Sequence, residues 1–239
     1  KPLLQNESIL HTSTWSPINN KEHDMKKSTL ILTAHLDDFE LGMGGTAAKL
    51  CADEDVYLMV LCKGDRPGHE AVGSPRKVAC VNNCKDIGIR DSMFHDYSDT
   101  RLDQVPQTEL CNIVHHHIRM IKPMTIYTHY SDDVHKDHCI VSDVTRVACR
   151  MRSSSPVDVL YEFTIPGSTE WGHVPRQFNV FEDITNYASD KMEMVSRYHT
   201  ELRPSPDPIS LPMIEARDKY HGSLCGYDRA ETFKLVFKR

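Results

Sequence analysis

Two short stretches of the chain place histidines and carboxylates at a spacing that suits a metal ion. His35 and Asp38 are three residues apart in HLDD, and His135 and His138 have the same spacing in HKDH. Imidazole and carboxylate groups are common zinc ligands, and three of them with an open fourth position are typical of a catalytic zinc site. Either stretch alone is also typical of an acidic surface loop, so the metal hypothesis requires the fold to bring both together.

An apolar pattern typical of a buried strand ends just before each stretch. Residues 29–33 precede His35, and residues 124–130 precede the second stretch. Further strands are predicted at residues 56–62 and 157–165, and helices at 45–54, 74–87, 109–121 and 137–152. Alternating strands and helices predict a parallel sheet with right-handed crossovers.

The second half of the chain continues in the same style. It predicts a strand at residues 176–184, helices at 188–202 and 213–224, and a last strand at 232–239. No repeat or low-complexity linker divides the sequence. The pattern therefore predicts one α/β domain, Rossmann-like, with a mostly parallel sheet flanked by helices.

This topology predicts where the two metal-capable stretches lie. In open α/β sheets, ligands bind beyond the carboxyl ends of the strands. Both stretches follow the carboxyl end of a predicted parallel strand, and these strands are candidates for neighbours in the sheet. We therefore expect one metal site at this edge, built from both stretches.

Composition excludes several other classes of protein. The net charge of −6 argues against a general nucleic-acid binder, which usually has a basic face. No apolar run approaches the roughly 18 residues of a membrane span, so no integral membrane segment is predicted. Scattered cysteines without a C-x-x-C pair indicate reduced thiols and a cytoplasmic location. Residues 1–24 are polar and irregular and are interpreted as an N-terminal extension or arm, which leaves residues 25–239 as the domain.

Both stretches resemble the motifs of a known family. AHLDDFELGMGGTAAKL resembles the A-H-P-D-D-x-E-x-G-x-G-G-T signature of the LmbE/PIG-L zinc-dependent de-N-acetylases, with Leu36 where that family usually has proline. THYSDDVHKDH resembles the second motif of the family, which ends in H-x-D-H. KMEMVSRYHTEL and ARDKYHGSLCGYDRAETFKL are similar to later motifs, so the resemblance covers residues 28–239.

The resemblance implies a role for each group at the site. His35, Asp38 and His138 would hold one zinc ion per chain. Zinc would lower the pKa of a water molecule to roughly 7, and Asp37 would act as the general base that takes its proton. His135 would stabilise the negative charge that develops on the acetamide oxygen. The implied activity is removal of acetyl from an N-acetylated amino sugar of the N-acetylglucosamine type, or from its glycoconjugate.

Three further residues receive roles beside this centre. Asp137 is interpreted as a carboxylate that orients His135 or another imidazole. Arg76 and Asp99 match family positions near the sugar, although a solvated helix turn and an ordinary loop turn are competing interpretations. The resemblance also favours a homo-oligomer.

Two other functions remain open on the sequence. A phosphoesterase-like metallohydrolase would use two metal ions about 3.5–4 Å apart, and Asp132 and Asp133 are the spare acids nearby. A non-catalytic sugar-binding protein with a relic metal site is the other alternative. Asp37 argues against the relic, because a loop that only holds a metal does not need this carboxylate.

Overall fold

The computed structural model of the chain describes residues 26–64, 73–150, 155–171 and 178–239, with the side chains of residues 73 and 74 left aside. The predicted N-terminal arm, residues 1–24, lies outside the described residues. Among the helices described, none is both long enough and apolar enough to cross a bilayer.

A seven-stranded sheet forms the centre of the domain, with strand order β3-β2-β1-β4-β5-β7-β6. Its strands are β1 (Ser28–Thr33), β2 (Asp55–Cys62), β3 (Asp91–Tyr97), β4 (Thr125–His129), β5 (Val159–Phe163), β6 (Val180–Asp183) and β7 (Ala230–Lys238). Five neighbouring strands pair in parallel, namely β3, β2, β1, β4 and β5. Strand β7 is antiparallel to both β5 and β6. The predicted mostly parallel sheet is confirmed.

In the described part of the chain, six α-helices flank the sheet. They are α1 (Asp38–Asp53), α2 (Gly73–Ile87), α3 (Gln107–Ile121), α4 (Lys136–Ala148), α5 (Ala188–Ser196) and α6 (Leu211–Ser223). Helix α1 begins seven residues before the predicted start, while α4 and α5 end before their predicted ends. Strand β3 was not predicted, because its sequence DSMFHDY is polar and most of its residues are only half-buried at the edge of the sheet.

The sheet has a hydrophobic core on each face. Ile31 of β1 packs into the core that contains residues of α1, α2, α5 and α6. Leu30 and Leu32 point to the opposite face, into the core shared with α3 and α4. This alternation follows from the two-residue period of a strand. Because helices cover both faces, the sheet itself offers the ends of its strands to a site.

Helix α1 is kinked at Met43, whose backbone angles (φ −152°, ψ 25°) are not helical. Two glycines allow the kinked segment to lie close to its neighbours. A Cβ atom on Gly42 would lie 2.5 Å from a ring carbon of Phe163, and one on Gly45 would lie 2.8 Å from Ile184. The kink separates a short first segment, which begins at Asp38, from the rest of the helix.

A buried charge network holds the second segment of α1. The Glu231 carboxylate accepts hydrogen bonds from the backbone N–H groups of Gly45 (3.1 Å) and Thr46 (2.7 Å). The Lys191 ammonium lies 2.8 Å from both Glu231 and Asp218. A carboxylate at the N-terminal donors of a helix segment is favourable for its hydrogen bonds and its dipole. Strand β7 and helices α5 and α6 thus hold helix α1 in place, and Asp38 is the first residue of that helix.

Candidate metal centre

The two histidine-containing stretches meet because β1 and β4 are adjacent parallel strands. His35 lies two residues beyond β1, and His138 lies in the first turn of α4. Both strands end at the same edge of the sheet, so the residues that follow them converge there, as the topology predicts.

The three predicted ligands face one common point. The Nδ1 atom of His35 lies 3.2 Å from Nε2 of His138 and 3.4 Å from Oδ2 of Asp38, and Nε2 of His138 lies 3.4 Å from Oδ1 of Asp38. Ligand atoms about 2.0–2.1 Å from a tetrahedral ion are about 3.3–3.4 Å apart. Asp38 uses a different oxygen for each of its two contacts, so the three groups have the chemistry that a small divalent ion requires and lie close to the spacing that it requires.

Each of the two predicted ligand histidines is oriented by a carboxylate on its other ring nitrogen. Nε2 of His35 lies 3.1 Å from Asp137, and Nδ1 of His138 lies 3.1 Å from Asp133. Such carboxylate–histidine pairs fix the tautomer and the ring orientation of metal ligands. Asp137 was predicted to orient His135 or another imidazole, and the imidazole that its carboxylate contacts is that of His35.

Both supporting carboxylates have hydrogen-bond donors of their own. Asp137 accepts from the backbone N–H groups of Thr100 (2.7 Å) and Leu102 (3.2 Å). Asp133 accepts from the hydroxyl groups of Ser168 and Thr169. Asp133 was considered in the sequence only as a spare acid, because its contact with His138 depends on how the loop before α4 folds.

The electrostatics of the centre favour a positive charge beside Asp38. Burial alone lowers the pKa of His35, but Asp38 and Asp137 outweigh burial and hold that pKa well above its usual value. The pKa of His138 is also raised, because Asp38 and Asp133 outweigh burial. Burial raises the pKa of Asp38, but the surrounding imidazoles hold it well below its usual range. A divalent cation would replace the protons that these imidazoles otherwise bind.

His129, the last residue of β4, is a member of the centre that the sequence did not single out. Its Nε2 accepts the backbone N–H of Ala34 (2.9 Å) and lies 3.1 Å from Asp38. Its ring stacks on that of His138, with centroids 4.1 Å apart. Burial and then the neighbouring His138 lower the pKa of His129 to about 4. Because the Ala34 amide occupies its Nε2 lone pair, His129 is better suited to packing the ligands than to binding the ion.

His135 lies against both predicted ligand histidines and is less buried than either of them. Its ring centroid is 4.6 Å from that of His35 and 4.5 Å from that of His138, and the side chain is half-buried. Nδ1 accepts the backbone N–H of Asp137 (3.3 Å), which leaves the proton of the neutral ring on Nε2. Burial and then the neighbouring imidazoles lower the pKa of His135 to about 4. His135 is therefore a neutral hydrogen-bond donor.

Asp37 does not share the ligand position of its neighbour Asp38. Its Oδ1 accepts a hydrogen bond from Arg76 at 2.8 Å, and a second Arg76 nitrogen lies 3.1 Å from Asp99. Burial lowers the pKa of Arg76, but Asp37 and Glu201 outweigh burial and raise it above its usual value. The fold brings the predicted pair Arg76 and Asp99 together beside Asp37, and their contact with substrate stays a prediction.

Comparison with known proteins assigns the chain to an enzyme family. A buried histidine–aspartate centre at the carboxyl edge of a parallel sheet is typical of a metal-dependent enzyme. A family model described as PIG-L: GlcNAc-PI de-N-acetylase matches residues 30–149. The chain belongs to this family, and it is a hydrolytic N-deacetylase.

Individual relatives agree with the family match. The chain is 30% identical over 152 residues to the uncharacterized deacetylase YaiS of Escherichia coli K12, and the match covers 60% of this chain and 77% of YaiS. The N,N'-diacetylchitobiose deacetylase of Pyrococcus horikoshii has a TM-score of 0.68 at 18% identity, covering 88% of this chain and 84% of that structure. GalB of Pseudomonas putida, a 4-carboxy-2-hydroxymuconate hydratase, has the same TM-score of 0.68 at 17% identity, covering 89% and 97%. Structural likeness at this identity therefore shows the fold alone.

Proposed function

We propose that this chain removes the acetyl group from an N-acetylated amino sugar or its glycoconjugate, with one zinc ion held by His35, Asp38 and His138. The observation that carries the proposal is the set of separations of 3.2–3.4 Å among these three donor groups. Two imidazoles and one carboxylate at tetrahedral spacing suit zinc and leave the fourth position for the reaction.

Asp37 is the proton acceptor of the proposed reaction. When bound, the ion supplies a Lewis acid that polarises the acetamide carbonyl and makes water a stronger nucleophile. Asp37 takes the proton of the attacking water and then returns it to the nitrogen of the leaving amine. Arg76 holds Oδ1 of Asp37 at 2.8 Å, so Oδ2 is the oxygen that remains for the proton. A general base needs a carboxylate oxygen that can accept a proton, and Oδ2 of Asp37 serves that role in the proposed reaction.

His135 supports the same reaction from the other side of the centre. Its Nε2–H group is a neutral donor, and its side chain is half-buried whereas those of the three proposed ligands are buried. The acetamide oxygen gains negative charge as the carbonyl carbon becomes tetrahedral. A donor that is already oriented stabilises this charge more in the transition state than in the bound substrate.

An amino-sugar substrate is supported by the description of the family and by the name of one structurally similar enzyme. The family model is described by the de-N-acetylation of GlcNAc-PI, and the Pyrococcus horikoshii enzyme is named for N,N'-diacetylchitobiose. Both descriptions contain an N-acetylated glucosamine unit. The cytoplasmic location and the homo-oligomer stay predictions, which cell fractionation and light scattering would test.

A two-metal phosphoesterase is less well supported. Such a site needs carboxylates that bridge two ions about 3.5–4 Å apart. The spare acid nearest the centre is Asp133, whose carboxylate already accepts from Ser168, Thr169 and the backbone N–H of His135. A relic site is also disfavoured, because Arg76 and Asp99 form a buried arrangement around Asp37 that metal binding alone does not require.

The experiment that tests the proposal separates the chemistry from metal binding. Acetate and free amine released from a panel of N-acetylated sugars are measured for wild type and Asp37→Asn, each with one zinc per chain. The amide introduced by this substitution cannot accept a proton, so kcat should fall by about 10²–10⁴-fold while zinc stays bound. Asp132→Asn is the control, since Asp132 is exposed in the loop before α4. Near wild-type turnover by Asp37→Asn at full zinc occupancy would refute the role of Asp37.

A further inference from the structure

The turn between β3 and α3 contains a backbone conformation that side chains rarely adopt. In the part of the chain that the structure describes, Thr100 (φ 62°) and Lys122 (φ 54°) are the two residues other than glycine with a positive φ. Lys122 ends α3, where a left-handed residue is common. Thr100 is β-branched and exposed, and it follows a strand, so neither a helix end nor burial of its side chain explains its conformation.

On one side of this turn, two backbone N–H groups hold the carboxylate of Asp137. Thr100 donates to Oδ2 at 2.7 Å, and Leu102 donates to Oδ1 at 3.2 Å. Oδ2 also lies 3.1 Å from Nε2 of His35, so one oxygen joins the turn to a predicted metal ligand. The turn therefore fixes the carboxylate that orients the His35 ring.

On the other side of the turn, the carboxylate of Asp99 holds the arginine that contacts the proposed base. Oδ1 of Asp99 accepts the backbone N–H of Gly64 at 3.1 Å, and Oδ2 accepts from Nη1 of Arg76 at 3.1 Å. Nη2 of Arg76 donates to Asp37 at 2.8 Å. Asp99 and Arg76 are 1% and 2% exposed, so this path from the turn to Asp37 is buried.

We propose that the left-handed backbone at Thr100 is a positioning element shared by metal binding and proton transfer. A change of its φ rotates the Thr100 N–H group and Asp99 together, relative to the N–H group of Leu102. The two N–H groups then cannot meet the carboxylate of Asp137, and Asp99 turns away from Arg76. Only the effect on proton transfer rests on the proposed function. Backbone strain is typical of functional sites, where the surrounding contacts hold it in place.

Glycine variants at the two positive-φ positions test the strain. Glycine adopts a positive φ without strain, so Thr100→Gly and Lys122→Gly should each raise Tm by about 2–4 °C. Thr100→Gly should keep the zinc affinity of wild type, measured by competition with a chelator, because the backbone and not the side chain contacts Asp137. A lower Tm for Thr100→Gly would overturn the strain at this turn.

Proline variants at the same two positions test the positioning. Proline fixes φ near −65° and has no N–H group, so it breaks the backbone at either position. Lys122 is the matched control, because its N–H donates to Ile118 at 2.8 Å and it precedes the amino end of β4, at the edge of the sheet opposite the centre. Both variants should lower Tm. Only Thr100→Pro should weaken zinc binding, by about 10–100-fold, and lower turnover at full zinc occupancy by a similar factor.

The comparison of the two proline variants decides the proposal. Equal zinc affinity in the folded Thr100→Pro and Lys122→Pro proteins, or equal turnover at full zinc occupancy, would overturn the positioning role. If Thr100→Pro does not fold, amide hydrogen exchange of wild type replaces it: zinc should slow exchange at Thr100 and not at Lys122, and no response at Thr100 would overturn the role. Weaker zinc binding by Thr100→Pro, in a protein whose wild type deacetylates no sugar, would support the turn and count against the proposed function instead.

Discussion

Replacing Lys191 with methionine should strongly destabilise the fold, because it leaves Glu231 buried without its cation and leaves Asp218 with the more distant Arg217, at 4.0 Å. Lys191, Asp218 and Glu231 are 0%, 2% and 0% exposed, and the ammonium lies 2.8 Å from each carboxylate. Removal of one partner from a buried ion pair typically costs about 3–5 kcal/mol. For a domain of this size, about 2–4 °C of Tm per kcal/mol gives a decrease in Tm of about 6–20 °C.

The assay is urea unfolding followed by circular dichroism, with Lys49→Met as the matched control. Lys49 also pairs with a glutamate, Glu182, at 2.6 Å, but the two side chains are 39% and 35% exposed. An exposed pair is worth about 0–1 kcal/mol, so this variant should remain close to wild type. The double variant Lys191→Met/Glu231→Gln should recover part of the loss, because it removes the charge that is left unpaired. If Lys191→Met and Lys49→Met both lower the free energy of unfolding by a similar small amount, the reasoning about the buried network is refuted.

Two further predictions concern the carboxylate that supports His138. Asp133→Asn should lower the affinity for zinc by about 10–100-fold, measured by competition with a chelator, because it removes the acceptor that orients the His138 ring; unchanged affinity would contradict this role. Burial raises the pKa of Asp133, but the hydrogen bond and charge of His138 hold it well below its usual range. A carboxylate whose pKa is lower in the folded protein than in the unfolded chain stabilises the fold at pH values above the unfolded pKa, about 3.9. This stabilisation is lost as the pH falls through the folded pKa. In metal-free protein, the difference in free energy of unfolding between wild type and Asp133→Asn should therefore be largest between about pH 5 and about pH 6, as measured by urea unfolding at each pH. It should narrow below about pH 4, and narrow again as the pH rises through the raised pKa of His138.

The buried parts of the fold could be predicted from the sequence because they carry strong local patterns. Strands β1, β2 and β4 have nearly continuous apolar runs, and each was predicted to within one residue at each end. Strand β3 was missed because it lies at the edge of the sheet, where most of its residues are polar and none is fully buried. The start of α1 was placed too late because the glycines after Asp38 disfavour a helix locally, whereas Glu231 and close packing on Phe163 stabilise it from distant parts of the chain.

The metal centre was predictable to the extent that its residues are close in sequence. His35 and Asp38, and likewise His135 and His138, share a turn, and the sheet topology joins the two pairs. His129 and Asp133 were missed, because their roles depend on long-range contacts with Ala34 and on the loop that carries Ser168. No local pattern encodes such contacts.

The central claim is that His35, Asp38 and His138 hold the one metal ion on which deacetylation depends. The most direct test is acetate release by metal-stripped protein as zinc is added back, with bound zinc measured in the same samples. The rate should rise in proportion to zinc and reach its maximum at one ion per chain, and His35→Ala should neither retain the ion nor release acetate. Full activity of the metal-stripped wild type, or one zinc per chain retained by His35→Ala, would contradict the account.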